Sequence, residues 1–553
     1  MPSLLETIPL DVFTNIVFFA VASDILKPPS PIFQLRLCSR TIYNLLSLHT
    51  CPHLYARIFR TRFDHDSSFR RHYAPLMPSS CLASEFRQRC RVLRRVRHRQ
   101  VEKEYIVSDL WTIYLMILES DGLNESQLHT AGLSDFMRHL FHQLREQWAS
   151  SDRPVTIISL AISIACLTWS RAEFILGLSP NERNDHLSFL RPYALAASKC
   201  SSIDAYGIET NGLQATANGL DGRADSLIDA SLKNRCNSHS DYYGGFAMIC
   251  PSLLIMSGSI FLTFALKEAT ALQVPPHLPL NRAVAAAASR AGPTKEDFFA
   301  IAGRRTPLVA DSFHQTELSI SVLRGVTRKR PSRSTAHDED FYRIARHLHL
   351  GDDSLKLRTY IPGLLTGLWE GSFMVAPLNL CQTAADQAIY SASEDFVSRQ
   401  PIQCRLREHM CFTPCLPFPL GADGGFEEGV FPQGSRACSD GSTFAEYSYE
   451  ELRQNSISES NWGLRQPLDV VITGETPQQY DAAWGAYHFA GRVRLSDGLI
   501  VLTRKPKSPG DAGCGTWIFE GYLQSRRAIV GRWRPCGSRD QLGGIFSLSR
   551  TDE

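Results

Sequence analysis

Apolar residues in the first sixty positions recur at helical spacing. After Ile8-Pro9-Leu10-Asp11, the positions Val12, Ile16, Phe19 and Ala20 step by three and four, which predicts a helix opening near Leu10. Pro28-Pro29-Ser30-Pro31 breaks the chain. Leu35, Cys38, Ile42, Leu45 and Leu46 then predict a second helix, and Leu54, Tyr55, Ile58 and Phe59 start a third after Cys51-Pro52. From 61 to 350 the helical rhythm dominates. Ile106, Leu110, Ile113 and Ile117 form one stripe, and Leu133, Phe136, Met137, Leu140, Phe141, Leu144 and Trp148 form a wider one suited to a buried face. Ala283–Ala288 is a further helical run, and Gly325–Ala336 reads as an exposed linker. No solenoid period emerges.

Beyond 351 the period drops to two. Trp484–Arg494, Gly498–Arg504, Gly515–Leu523, Ala528–Pro535 and Gly543–Arg550 are short alternating runs divided by turn residues, with earlier strands expected at Trp369–Val375 and Ile402–Phe412. Short strands with tight turns predict an antiparallel meander, long enough to close a barrel. Gly371, Gly491, Gly521 and Gly531 lie inside these runs, where closure demands bends. The expected fold class is therefore α+β and multidomain. Its parts are a three-helix unit at 1–60, a mainly α-helical region at 61–350 and an antiparallel, barrel-like domain at 351–553.

Tyr242–Leu266 carries no charge and raises the question of a membrane span. Pro251 marks a helix start there, and from it to Leu266 a helix reaches only about 24 Å, short of the ~30 Å hydrocarbon core. A buried core helix is expected, and Val155–Trp169 reads the same way. The apolar stretch Val12–Ala22 follows Glu6 and Asp11 rather than positive charge, so no secretory signal is expected. The 15 cysteines follow no even framework and are expected as reduced thiols inside the cell, cytoplasmic or nuclear.

Composition adds one asymmetry. At 43% hydrophobic and 21% charged the chain is ordinary globular material with a net charge of +2. The first hundred residues, however, hold 15 Lys and Arg against 6 Asp and Glu, so the front is basic and the rest mildly acidic.

The first zone resembles an F-box. Ile8-Pro9-Leu10-Asp11-Val12 stands for the family's Leu-Pro-Leu-type opening, Leu35-Arg36-Leu37-Cys38-Ser39-Arg40 for its Leu-Arg-Leu-x-Cys-x-Arg helix, and Pro52-His53-Leu54-Tyr55 for its Pro-x-Leu-aromatic element. Ser23–Pro31 is longer than the family's loop, and Thr41 stands where Trp is frequent. The later zones look like large fungal F-box proteins with a strand-rich C-terminal domain. Tyr360-Ile361-Pro362-Gly363-Leu364-Leu365-Thr366-Gly367-Leu368-Trp369-Glu370-Gly371 and Gly491–Ile500 carry that likeness.

The resemblance implies a non-enzymatic substrate receptor. Its partners would be a Skp-type adaptor, a cullin ubiquitin ligase and a target protein. The adaptor would meet Ile8, Pro9, Leu10, Val12, Ile16, Leu35, Leu37 and Leu45, and the 351–553 domain would capture the target. Loops Gly421–Ser442 and Lys505–Gly515 are the candidate recognition segments. The alternative is a small-molecule-binding barrel, with Trp484, Trp517, Phe519 and Trp533 lining or filling its interior.

Other constellations carry less. Arg87, Arg89, Arg91, Arg94, Arg95, Arg97 and Arg99 are spaced so that a helix scatters them around its cylinder, and nucleic acid is not an expected partner. Arg328-Lys329-Arg330 is a weak nuclear-localisation pattern. Cys404, His409, Cys411 and Cys415 lack a C-x2-C knuckle, and His337, His347 and His349 lack a carboxylate partner, so no metal is expected. Neither a cofactor nor a membrane partner is expected. There is no G-x-S-x-G, P-loop or H-E-x-x-H pattern.

Overall fold

The structure, a computed structural model, describes residues 4–72, 77–146, 155–168, 246–248, 278–289, 294–297, 333–347, 360–375, 398–412, 449–451, 467–481, 485–495, 498–507, 516–526, 528–535 and 543–551, with isolated positions such as Tyr243 and Gly258 between them. The chain forms two compact units. One comprises Met1–Thr168, Leu232–Pro251 and Arg324–Lys356, the other Trp169–Ser231, Ser252–Leu323 and Leu357–Glu553. Helices dominate the N-terminal region and a closed antiparallel barrel occupies the C-terminal region, as the α+β expectation required.

In the first unit, the helices are α1 (Leu10–Ala22), α2 (Ser30–Cys38), α3 (Arg40–Leu45), α4 (Pro52–Arg62) and α5 (Asp66–His72). They continue with α6 (Ser79–Arg97), α7 (Ile106–Leu118), α8 (Leu123–Thr130), α9 (Leu133–Glu146) and α10 (Val155–Thr168). The three-helix expectation for the opening is corrected to four. Apolar spacing runs unbroken from Leu35 to Leu46, but Ser39 is fully extended at φ −159° and ψ 152°. Its Oγ accepts from the amides of Thr41 and Ile42 at 3.1 and 3.4 Å. A side chain that satisfies the first free amides of a helix sets a new start there.

The core of this unit is apolar on every side. All side chains from Asp109 to Leu118 on α7 are buried, as are those from Ile157 to Leu167 on α10, and the two helices pack together. Helices apolar all round belong inside. The α9 stripe from Leu133 to Leu144 is buried as its spacing predicts, and Trp148 lies outside the described residues.

Charges in the core are paired. Arg89 is held by Glu119 at 2.5 Å, Glu85 at 2.8 Å and the Tyr243 hydroxyl at 2.9 Å. A buried guanidinium needs this compensation, because losing one partner would strand a charge in low dielectric. Arg95 pairs with Asp109, while Arg99, exposed just past the end of α6, bridges to Asp135 on the surface at 2.8 Å. Of the remaining four, Arg97 is half-buried, and Arg87, Arg91 and Arg94 are exposed at steps of four and three. The arginines of α6 are thus spread around the helix as their spacing predicts, with Arg87, Arg91 and Arg94 sharing the outward side.

One further correction and one added element concern the middle region. Ser334, expected in an exposed linker, is fully buried in a 3-10 turn Arg333–His337. Its amide donates to Asp121 at 2.8 Å, while Asp338 just beyond receives Arg70 and Arg71 at 2.8 and 2.9 Å. Within Tyr242–Leu266, Phe246–Met248, ahead of the helix expected from Pro251, is a strand, β1, paired antiparallel with β2 (Ala345–His347). Gly258 of the same segment lies against Val530 on the outer face of the barrel. Among the described residues no helix is long and apolar enough to cross a membrane.

The barrel begins with β3 (Gly367–Val375), β4 (Ser398–Cys411) and a short β5 (Glu450–Glu451) that pairs antiparallel with the end of β4. It continues with β6 (Asp469–Glu475), β7 (Tyr487–Arg494), β8 (Leu499–Pro506), β9 (Trp517–Gln524), β10 (Ala528–Pro535) and β11 (Gly544–Thr551). The order β3-β11-β10-β9-β8-β7-β6-β4 returns to β3, so eight strands close with every pairing antiparallel. Closure leaves no free edge in the ring. Inward positions are apolar, among them Trp369, Phe373, Met410, Phe519, Trp533 and Phe546.

Gly521 and Gly531 sit opposite one another at inward positions. A Cβ on Gly531 would stand 2.0 Å from the Glu520 carbonyl oxygen, so only glycine permits this bend.

The two ends of the barrel differ. Tyr360–Thr366 crosses the end where β3 begins, placing Tyr360 and Leu365 in the core. Glu408, fully buried on β4, accepts from the amides of Gly363 and Leu365 at 2.6 Å each and Thr366 at 2.9 Å. Gly363 has φ +92°, a conformation that suits glycine. Burial pushes the Glu408 carboxyl above its ordinary range, against the pull of those amides. At the opposite end Arg504, Tyr487, Trp517, Trp533 and Phe373 converge.

Candidate functional site

Two apolar faces run along α1. Phe13, Val17, Phe18 and Val21 form the first and are buried, where α1 packs on α2 and α4. Val12, Ile16 and Phe19 form the second, and it is open to solvent, with Phe19 65% exposed; Leu10, at the first turn on the other side of the helix, is exposed as well. On α2, Ile32 is buried, while Phe33 and Leu37 stand one turn apart and point outward, Leu37 at 85% exposure. Tyr43 on α3 continues the surface. Among the described residues, eight of the fourteen exposed large apolar side chains fall between Leu5 and Tyr43. Isolated exposed leucines are ordinary, but this concentration within four short helices is an interaction-surface signature.

All eight residues picked from the sequence border solvent. Pro9, Leu10, Val12, Ile16 and Leu37 are exposed, and Ile8, Leu35 and Leu45 are half-buried. The adjacent Leu46 is the buried member of its pair. Leu5, Phe19, Phe33 and Tyr43 join the surface and were not picked. The i, i+4 spacing of Phe33 and Leu37 was the readable signal for one of them.

Polar contacts fix the shape of this surface. The Ser39 hydroxyl donates to the Glu6 carboxylate, which ties the turn before α1 to the α2–α3 corner and so positions Ile8, Pro9 and Leu10. Arg57 on α4 donates to Asn15 at 2.6 Å and lies over the Phe18 ring at 3.7 Å, bracing α1 from behind. The long Ser23–Pro31 connection is pinned from inside. Buried Arg62 donates to the carbonyls of Val21 at 3.2 Å, Asp24 at 3.1 Å and Lys27, and Gln127 donates to the Ile25 carbonyl at 2.7 Å. The Tyr55 hydroxyl donates to the Leu46 carbonyl, and burial pushes its pKa up. Around the apolar centre the exposed charges are mostly basic, including Lys27, Arg40, Arg57 and Arg60.

The remaining sequence candidates do not assemble with this face. Cys404 points into the barrel, where burial pushes its thiol up to about 12, whereas His409 lies on the outer face bonded to Thr473 at 2.7 Å. His337 is buried beside Asp340, and His347 lies on β2. Among the described residues no group of three or more His, Cys, Asp or Glu is placed to hold a metal. Cys415, His349, Trp484, Gly421–Ser442 and residues 508–515 lie outside the described residues.

Scans against known protein families, curated proteins and solved structures return no match to this chain. The functional reading therefore stands on the chain's own residues.

Proposed function

We propose that this chain is the non-catalytic substrate-recognition subunit of a Skp–cullin–F-box ubiquitin ligase. It docks a Skp-type adaptor through the open face of α1–α3 and captures a target protein through its C-terminal region. The observation that carries this reading is the concentration of exposed apolar side chains between Leu5 and Tyr43. Fully burying one such side chain contributes about 1.5–3 kcal/mol, so a monomer forgoes much by leaving the face open. A partner with an apolar groove and an acidic rim would recover that energy and match the basic surround. A ligase receptor needs no reactive group of its own, since it acts by holding the target near the charged ubiquitin carrier.

Adaptor recovery from cells tests the docking step. Full-length protein should co-purify with the Skp-type adaptor, and Ile16→Asp/Leu37→Asp should abolish recovery while circular dichroism stays unchanged. Equal recovery of the variant, or no adaptor with the natural sequence, overturns the proposal.

A further inference from the structure

We propose that Ser30 is a phosphorylation site for a proline-directed serine kinase, and that its phosphate closes the open apolar face to an acidic partner. Serine or threonine precedes proline six times in the chain, at Ser30, Ser179, Thr306, Thr413, Thr476 and Ser508. Thr306, Thr413 and Ser508 lie outside the described residues. Thr476 is buried, and its hydroxyl accepts from the Tyr487 amide at 3.3 Å. Ser179 is exposed, but its hydroxyl is engaged with Glu182 at 2.8 Å. Ser30 is exposed, and its hydroxyl makes no hydrogen bond among the described residues. It is the first residue of α2, where the amides have no partner within the helix, so presenting it to an enzyme disrupts little. Pro31 has no N–H. A kinase pocket that offers no acceptor at that position selects proline, since any other residue would leave an amide unpaired.

Position gives the modification its effect. Ser30, Phe33 and Leu37 step by three and four along α2, which puts them on one side of the helix. Phe33 and Leu37 are exposed, so Ser30 heads the apolar stripe of α2 without being part of it. In the transfer the hydroxyl oxygen of Ser30 attacks the γ-phosphorus of ATP. The bond from that phosphorus to the bridging oxygen breaks, ADP leaves, and the hydroxyl proton passes to the kinase's general base. The product carries a charge of about −1.5 to −2 at neutral pH, roughly one helical turn from Phe33. Covering the stripe would then strip water from that charge, and a partner's acidic rim would meet like charge. The connection before Ser30 holds the phosphate in place. Arg62 binds the carbonyls of Val21, Asp24 and Lys27 from within, and Pro28 and Pro29 restrict the step into α2. Lys27, the one cation of that connection, is already paired with Asp24 at 2.9 Å.

The effect on docking rests on the ligase reading, whereas the site itself does not, and the test separates them. Full-length protein is incubated with ATP, magnesium and a purified cyclin-dependent kinase, mapped by tandem mass spectrometry, and offered to the purified Skp-type adaptor. Phosphate should be found on Ser30 of the folded protein, and adaptor recovery should fall at least tenfold. Ser30→Ala, treated in the same way, should recover as much adaptor as the same variant untreated, which excludes an effect of phosphate elsewhere in the chain. Ser30 left unmodified overturns the site, even where untreated protein captures the adaptor. Phosphate on Ser30 with undiminished recovery, or an equal fall in Ser30→Ala, overturns the regulation. Untreated protein that recovers no adaptor overturns the ligase reading and the regulation with it, and the mass map still decides the site.

Discussion

Trp369 on β3 and Phe19 on α1 are both large apolar residues, yet the first is fully buried and the second is 65% exposed. Around Trp369 the sheet has curled until its first strand meets its last, and the inner face looks only at itself. The ring nitrogen of Trp369 donates to the Leu365 carbonyl at 2.7 Å, so even its polar atom is satisfied. Around Phe19 four short helices bury one apolar face and leave another outside. Three turns of helix present more apolar surface than their neighbours can cover. The barrel buries its apolar face within the chain, whereas the helical unit leaves one apolar face open to solvent.

That contrast breaks most severely at the barrel's closest approach. Gly531→Val puts a side chain where the Glu520 carbonyl already stands. It should destabilise the barrel by more than about 3 kcal/mol, read as loss of its cooperative thermal transition, while adaptor recovery persists. Next comes Arg62→Met, which strips the donors from the Val21, Asp24 and Lys27 carbonyls. A loss of about 2–3 kcal/mol is expected, with faster amide hydrogen exchange across residues 21–29.

A smaller, pH-dependent effect belongs to His409. Burial lowers its pKa below the ordinary 6.5. Between the lowered value and 6.5 the unfolded chain binds a proton that the folded chain refuses, so barrel stability is full above that window and falls as pH drops through it. His409→Gln should flatten this dependence relative to the natural protein, measured as melting temperature between pH 7.5 and 5.5. The smallest stability effect is expected at the surface of greatest proposed consequence. Leu37→Ser should change stability by less than about 0.5 kcal/mol and still weaken adaptor recovery. A large loss of stability there would show that the face is internal packing.

The strands that alternate were legible, and β3, β4 and β7 to β11 lie close to where period two put them. The exception, β6, shows why. Asp469, Val470, Val471 and Ile472 are all buried, so both faces of the strand read as interior and alternation disappears. Its run of β-branched residues between Pro467 and Gly474 was the remaining signal. The break at Ser39 was hidden for the opposite reason, because apolar periodicity continued straight through a side-chain cap. Which arginine of α6 turns inward could not be read locally, since Glu119 and Asp109 decide it from outside that helix. The exposed apolar face was legible because helical spacing counts apolar positions, and α1 has more of them than one buried stripe requires.

Closing the ring through β3 and β11 also sets an order of events during synthesis. Phe373 lies in register with Phe546, so the first strand of the ring waits for the last to be made. Pairings that distant in sequence form slowly and leave strand edges exposed meanwhile. The helical unit, by contrast, is drawn from segments that end at Lys356, before Gly367 opens the first strand of the ring. A nascent chain can therefore finish its exposed helical face while its barrel is still an open sheet, so one half of the molecule is shaped before the other has closed.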